Sequence, residues 1–534
     1  MSSAEDGVVK DRTEKGMSET EEFANPSRRR FVTGATLGVA LASAGIYELI
    51  DKLVTPPERA AVEADRPLPP EQYAIPTPRL IMDNGTGVAS SNGTTPVLIP
   101  PLHNHVITAT LRVSPSAKDL QEAQRHLESV IHGLERHFPP PPSGLGVVVS
   151  WGLPYFQHYI PSLGRGSGYF KSGTRYPEYL PIDLMTSKQQ GRTVYALQAA
   201  RTYPSDQPPA GFGQVRLEQN HVAVLLRSDS LNNIMEGTNA LFGTGSHQAG
   251  DLFKVTSIRR GFTGGGHTGQ QSLASKLALE ADLPGARSIP AHAPIFLGFT
   301  TTIKSAESST PVSNLETLPG WTDQWPNGYF KYGTVMPLSH LYSDLATWYG
   351  EDREGSQEFP AYADRLRAMY RPGLSVPVGT VTVDPPVESQ GDVFQRVRET
   401  GSYGHNGSMQ PVNRLQKATT SNYGVTYPIG TPVSNRGDFA TLDNPFYYTS
   451  DPVGDQYSTQ KAAGLHFLIF APTSETFNRI RLAMDGYYPD GKRIDFSPRS
   501  PKAGLNAVVH TTHRQNFLIP PRSHRSFPLA EFLS

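Results

Sequence analysis

The stretch His105-Val106-Ile107-Thr108-Ala109-Thr110-Leu111-Arg112-Val113 predicts a β-strand, because it is rich in β-branched residues and its polar residues alternate. After it, Ser116 is placed to cap a helix, and apolar residues recur at spacings of three and four over residues 120–134. The apolar run at residues 145–151 then predicts a buried strand. These three elements form a β-α-β unit.

The β-α-β pattern recurs along the chain. Residues 220–227 and 253–260 predict strands on either side of a helix at 231–242, and residues 464–470 begin a third copy. Units of this kind that return to one sheet predict split β-α-β, ferredoxin-like halves. The predicted fold class is therefore α+β, with two ferredoxin-like halves and long loops around a central pocket.

Four parts are predicted along the 534 residues. Residues 1–50 are predicted as an export signal or anchor, and residues 51–100 as a Pro-rich linker with an extended N-terminal segment. Residues 101–300 are predicted as the first ferredoxin-like half. Residues 301–534 are predicted as the second half, which carries the loop around His405. The length left after the linker suits about two to three domain lengths, or one large duplicated domain.

The segment Ser27-Arg28-Arg29-Arg30-Phe31-Val32 resembles the signal of the twin-arginine export route. An uncharged segment, residues 31–47, follows at once, and Ala42-Ser43-Ala44 supplies the small residues of a cleavage site. The alternative is a basic surface patch beside a short core helix. The signal predicts an extracytoplasmic protein and the twin-arginine translocase as a partner. The protein would be secreted if the signal is cut, and held by an N-terminal anchor if it is not.

Composition limits the other function classes. The net charge is −1, so the basic excess that phosphate binding needs is missing and no nucleic-acid partner is expected. The sequence has no Cys, which excludes disulfides, thiolate ligation of haem, iron–sulfur clusters and Cys-zinc sites. No second apolar stretch approaches membrane-spanning length, so any membrane contact is expected only through the N-terminal segment.

Four further segments resemble the dye-decolorising peroxidase family, whose members are haem enzymes with two ferredoxin-like halves. They are Gly261-Phe262-Thr263-Gly264-Gly265, Tyr403-Gly404-His405, Gly464-Leu465-His466-Phe467-Leu468-Ile469-Phe470 and Asn516-Phe517-Leu518-Ile519-Pro520-Pro521. The resemblance implies a dimeric α+β barrel-like fold and haem b as the cofactor. It also implies hydrogen peroxide and an organic reductant as the small-molecule partners.

The resemblance assigns the cofactor-binding residues. His405 matches the proximal histidine and would be the iron ligand, while Gly264 and Gly265 would let the backbone approach the porphyrin closely. Arg414 follows this segment and would pair with a haem propionate, although Arg436 competes for that role. The alternatives are a surface loop histidine at 405 and a surface salt bridge at 414.

The distal side departs from the family pattern. The position of the family's distal Asp is Gly264, and the position of its distal Arg matches Ser339 or His340. Acid–base work would then fall to His267, His340 or water, since imidazole can move protons near neutral pH. A charged His340 would be needed to polarise the peroxide bond. The alternatives are an exposed turn histidine at 267 and a packing histidine at 340.

Two functions therefore follow from the sequence. The first is an exported haem-dependent peroxidase-like oxidoreductase with a degenerate distal pocket, which uses hydrogen peroxide to oxidise an organic reductant. The alternative is a non-catalytic exported binding or structural protein that keeps the same fold. Gly264, in the place of an acidic residue, is the feature that favours the alternative.

Overall fold

A computed structural model describes the fold. It covers residues 45–53, 68–72, 79–82, 95–98, 100–139, 143–160, 179–204, 206–266, 270–298, 320–324, 327–350, 389–400, 412–420, 424, 426–431, 433–445, 460–493 and 508–534. The strands are β1 (Arg79–Met82), β2 (Thr95–Leu98), β3 (His103–Leu111), β4 (Gly146–Gly152), β5 (Arg216–Leu217), β6 (Val222–Ser228), β7 (Phe253–Phe262), β8 (Thr334–Ser343), β9 (Thr419–Thr420), β10 (Thr426–Tyr427), β11 (Asn435–Arg436), β12 (Phe439–Thr441), β13 (Gly464–Phe470) and β14 (Val509–Ile519). The α-helices are α1 (Gly45–Leu53), α2 (Ala117–His137), α3 (Leu153–His158), α4 (Leu184–Gln190), α5 (Leu231–Phe242), α6 (Leu273–Glu280), α7 (Leu345–Tyr349), α8 (Gln390–Thr400) and α9 (Ser474–Met484).

Strands of the described residues close an antiparallel barrel. Its order is β8-β13-β12-β7-β3-β6-β4-β14, and β14 pairs again with β8. Outside this ring, β11 pairs with β13, and β5 pairs with β14 in the parallel sense. The α+β class with a barrel-like sheet, predicted from the sequence, is confirmed.

Local signals in the sequence explain the first unit. Ser116 caps α2, its side chain accepting a hydrogen bond from the Asp119 N–H at 3.1 Å. The apolar face of α2 is buried where the three- and four-residue spacing predicted it. Strand β3 begins two residues before the predicted start and ends at Leu111, and the Arg112 N–H donates to the carbonyl of Leu252, the residue before the β7 partner of Leu111.

Alternate residues of the barrel strands face two different cores. One core contains residues from β3, β4, β6, β8, β12, β13 and β14: Val106, Val148, Ala223, Leu225, Met336, Leu338, Phe439, Leu468, Phe470, Phe517 and Ile519. Because these come from strands all round the ring, they fill the barrel interior. The opposite face of β13 packs outward through Ile469 against Phe477 and Ile480 of α9.

Helix α1 is part of the folded core. Tyr47 and Ile50 are 1% and 0% exposed and pack in a cluster with residues of α6 and α7. The Tyr47 hydroxyl donates to Asp443 Oδ1 at 2.9 Å and accepts from the Leu442 N–H at 3.1 Å. The sequence-based boundary at residue 50 therefore falls inside a packed helix. None of the helices in the described ranges is long and apolar enough to cross a membrane.

Candidate functional site

The residues predicted from the sequence lie in separate places. His267 and His405 fall outside the described residues, so their roles stay predictions. Gly264 and Gly265 follow β7, and His340 lies in the middle of β8.

The backbone at Gly264 is tightly packed, whereas the following Gly265 is open. Gly264 is buried, and a Cβ built on it would lie 1.7 Å from the Pro294 carbonyl oxygen. Its own carbonyl accepts a hydrogen bond from the Leu273 N–H at 2.7 Å, at the start of α6. Gly265 does adopt the expected positive φ, at 69°, and a Cβ there would meet nothing within 4 Å. A carboxylate could therefore not be placed at 264 without moving the backbone.

Arg414 is buried, with 5% of its surface exposed, so it is not the surface salt bridge considered as an alternative. Its Nη1 donates to the Gly430 carbonyl at 2.5 Å. Arg436, its competitor, is exposed on β11 at the edge of the sheet. Burial of Arg414 is compatible with binding an anionic group, but the assignment to a haem propionate stays a prediction.

His340 belongs to a row of three histidines inside the barrel. It is the register partner of His466 on β13 and of His513 on β14. Residues directly opposite each other in antiparallel strands point to the same face. His340 and His466 lie two residues from Leu338 and Leu468, which belong to the interior core, so the row faces inward.

The three rings are close to each other and shielded from solvent. The ring centroids of His340 and His466 are 4.5 Å apart, and those of His340 and His513 are 6.1 Å apart. All three residues are buried. Phe439 lies beside His466 and Phe212 beside His513, so apolar rings cover both ends of the row.

Hydrogen bonds fix the tautomer of His513. The Thr512 hydroxyl donates to the His340 carbonyl at 3.0 Å, so its oxygen must accept from His513 Nδ1 at 3.2 Å. The proton of a neutral His513 is then on Nδ1, which leaves Nε2 as an acceptor. Nε2 of His513, Nε2 of His340 and both ring nitrogens of His466 have no hydrogen-bond partner among the described residues.

One end of the row faces a buried carboxylate. Asp443 Oδ2 accepts from the Arg260 N–H at 2.6 Å and lies 3.7 Å from His466 Nε2. Asp443 Oδ1 lies 3.3 Å from Arg260 Nη2 and accepts from Tyr47. Burial alone would raise the pKa of Asp443, but the Arg260 charge, the adjacent His466 and the hydrogen bond from the Arg260 N–H lower it to about 2. Asp443 is therefore ionised at neutral pH.

The other end faces a second ion pair. Glu218, directly after β5, pairs with Arg259 of β7, and burial is again outweighed by the guanidinium, which lowers the pKa of Glu218. Arg259 Nε also donates to the Ser257 hydroxyl at 3.3 Å. Glu218 thus reaches from the edge of the sheet to the barrel interior.

Burial keeps the histidines uncharged. It lowers the pKa of His513 to about 4 and that of His340 well below the usual 6.5. For His466, burial lowers the pKa, and Asp443 opposes that change. His340 is therefore neutral near pH 7, which works against its predicted role as a cation that polarises peroxide.

The haem expectation can be tested only on the distal side. At Gly264 the Pro294 carbonyl occupies the space in which a side chain would begin, whereas a Cβ at Gly265 would meet nothing within 4 Å. Among the described residues, no set of three or more His, Asp or Glu side chains is arranged to hold a metal ion.

The sequence did not point to several residues of this interior site. His466 lies in a predicted strand, and no motif in the sequence gives His513 a role. Asp443, Glu218 and Arg259 carried no motif. Their common signal is strand register, which requires knowing which strands pair.

Comparison with known proteins gives a family without an assigned function. Residues 191–521, well over half of the chain, match the model of a family of unknown function, DUF7405. The chain belongs to this family. No curated protein matches it.

Solved structures with a similar fold include DyP-type peroxidases. An encapsulated DyP-type peroxidase from Mycobacterium smegmatis is 11% identical, with a TM-score of 0.45, over 80% of this chain and 96% of that one. A DyP-type peroxidase from Cellulomonas bogoriensis is 14% identical, with a TM-score of 0.44, over 85% and 96%. A DypB variant from Rhodococcus jostii RHA1, in complex with heme, is 13% identical, with a TM-score of 0.42, over 82% and 97%. Identities this low say nothing about chemistry, which has to be argued from this chain's own residues.

Proposed function

We propose that this protein is an exported, non-catalytic binding or structural protein, which keeps a peroxidase-type α+β barrel without the peroxide-cleaving groups. The observation that carries the proposal is the tight packing at Gly264. The Pro294 carbonyl occupies the space in which a side chain at 264 would begin. An acid–base group therefore cannot extend from this position toward a substrate.

His340 supports the same proposal. It is the candidate replacement for the distal cation, yet it is buried between His466 and His513 inside the barrel. Burial keeps it neutral near pH 7, and Nε2 has no partner among the residues described. A neutral imidazole enclosed by two others offers no positive charge to a peroxide oxygen.

The second candidate is the haem-dependent peroxidase-like oxidoreductase implied by the sequence resemblance. The Tyr403-Gly404-His405 segment favours it, because a neutral imidazole is a good axial ligand for haem iron. In that function His405 would hold the iron and Arg414 would pair with a propionate. Hydrogen peroxide would be the oxidant and an organic molecule the reductant.

The absorption spectrum of the purified protein separates the two functions. The protein should be produced through its own export signal with haem supplied, and tested for a Soret band and for consumption of hydrogen peroxide. Our proposal expects no Soret band and no consumption above the haem-free background. A Soret band that His405→Ala abolishes, and that the exposed control His247→Ala keeps, would establish the second candidate instead.

Export has its own test. Replacing both Arg28 and Arg29 by Lys keeps the charge and removes the arginine pair that the translocase reads. We expect this double variant to stay in the cytoplasm, while the neighbouring Arg30→Lys is exported normally. Normal export of the double variant would show that the twin-arginine assignment is wrong.

A further inference from the structure

The histidine row lies next to strand β5, which pairs with β14 outside the closed ring. Strand β5 joins the sheet through only two residue pairs, His513 with Arg216 and Arg514 with Leu217. The chain then continues to Glu218, whose N–H donates to the Arg514 carbonyl at 3.0 Å and whose carboxylate pairs with Arg259. The segment is attached by this short ladder, by the Glu218–Arg259 ion pair, by hydrogen bonds between Asn220 and Gln515, and by the contact of the Phe212 ring with the His513 ring.

We infer that the histidine row is an acid-sensitive lock, which keeps β5 paired with β14 and Glu218 paired with Arg259, and releases them when the histidines take up protons. The inference rests on the geometry of the interior. It requires neither haem nor export, so it stands or falls independently of the proposed function.

The charges around the row explain why proton uptake would open it. Three imidazolium groups at these ring separations would repel each other and the neighbouring guanidinium groups. The charged and titratable groups that face the row or its partner Asp443 are Arg259 and Arg260 of β7, Arg216 and Glu218, His105 of β3, Tyr47 of α1, Asp443 and Lys461. Only Glu218 and Asp443 in this set are negative, and both already pair with arginines.

Two buried polar atoms without hydrogen-bond partners also favour opening at low pH. His513 Nε2 and Arg259 Nη1 are buried and have no partner within the described part of the chain. A group buried without a partner gains much more hydration when it becomes exposed than a satisfied group does. Opening at β5 would expose both of them to water, and protonation would add to that gain.

The direction of the pH effect follows from the pKa of His513. Its pKa is about 4 when closed and about 6.5 when exposed, so the open form binds more protons between these values. The lock is fully stable above about pH 6.5 and is weakened as the pH falls toward 4. For His513 alone, the opening equilibrium at about pH 5 should be roughly 30-fold larger than at about pH 7.5.

Hydrogen–deuterium exchange on the full chain tests the lock. Exchange at about pH 7.5 and about pH 5 should be corrected for the intrinsic pH dependence of amide exchange. We expect residues 214–220 and the adjoining part of β14 to lose protection at the lower pH, by roughly the 30-fold worked out above. Strands β4 and β6 should keep their protection. Unchanged protection at β5, or an equal loss throughout the barrel, would overturn the inference.

Two variants test the residues. His513→Gln removes a titrating group but keeps hydrogen-bonding capacity, and it should reduce the pH dependence of exchange at β5. The control His247→Gln, at an exposed position, should not. Glu218→Gln removes the carboxylate that pairs with Arg259 and leaves the histidines intact, so β5 should already exchange faster at about pH 7.5. Full protection of β5 in Glu218→Gln would overturn the inference, even if His513→Gln failed to fold.

Discussion

Tyr47→Phe tests whether helix α1, which overlaps the end of the predicted signal, stabilises the folded barrel. The change removes one hydroxyl and keeps the ring that lies under the Arg260 guanidinium at 5.0 Å. The lost group donates to the ionised Asp443 at 2.9 Å and accepts from the Leu442 N–H at 3.1 Å. A hydrogen bond to a charged group contributes about 1.5–3 kcal/mol, and a buried N–H left without a partner costs about 1–3 kcal/mol. We therefore expect the free energy of unfolding to fall by about 3 kcal/mol.

Urea denaturation followed by tryptophan fluorescence measures this loss. Trp348 is buried in the same cluster as Tyr47 and reports on it directly. Glu48→Gln is the matched control, because Glu48 lies on the same helix and is exposed. In a double-mutant cycle with Asp443→Asn, the Tyr47 and Asp443 changes should be coupled by about 1.5 kcal/mol or more. If Tyr47→Phe matched Glu48→Gln within about 0.5 kcal/mol, α1 would not be part of the core and the reasoning would fail.

Two further predictions concern sites away from α1. Gly264→Ala should lower the free energy of unfolding by about 3 kcal/mol, because its Cβ would collide with the Pro294 carbonyl. Gly265→Ala should lower it by only about 1 kcal/mol, because alanine is less stable than glycine at the positive φ of this residue. Equal effects of the two changes in thermal unfolding would contradict the tight packing at Gly264. Arg525→Lys should lower the free energy of unfolding by about 3 kcal/mol. The fully buried guanidinium of Arg525 pairs with two glutamates of α2, and a lysine ammonium cannot donate to both carboxylates in the same planar geometry. Lys492→Ala, which breaks an exposed pair, is the control and should leave the urea midpoint unchanged.

The regular elements could be predicted because their signals are local. Helix α5 has the predicted bounds, Leu231–Phe242, and Ser230 caps it by accepting from the Asn233 N–H at 3.4 Å. Strand β13 also has its predicted bounds, Gly464–Phe470. In both cases hydrophobic periodicity and a terminal residue are contained within one short window of sequence.

The interior site could not be predicted in the same way. His340 and His513 are 173 residues apart and meet only because β8 pairs with β14, across a shift in register between Thr511 and His513. A one-residue slip would turn one of the two rings to the outside of the barrel. No local pattern specifies that register, so the sequence suggested a role for His340 alone and none for its partners.

The loop at Gly264 shows a second limit. Consecutive glycines indicate that the backbone is free to adopt positive φ, and Gly265 and Gly266 do so. They do not indicate what lies beyond the loop. Here the segment around Pro294, which carries no motif, packs over Gly264 and decides that the space is filled.

The polar end of the barrel is not explained by stability alone. Buried ion pairs such as Arg259–Glu218 and Arg260–Asp443 recover little more than the desolvation cost of their charges, and well-packed apolar residues would stabilise a barrel at least as well. The histidine row adds unpartnered nitrogens, each of which is unfavourable in a closed interior. Apolar residues fill the rest of the interior, so the fold can bury apolar side chains there. The unfavourable burial of polar groups is therefore concentrated beside β5, at the histidines whose protonation would release this strand.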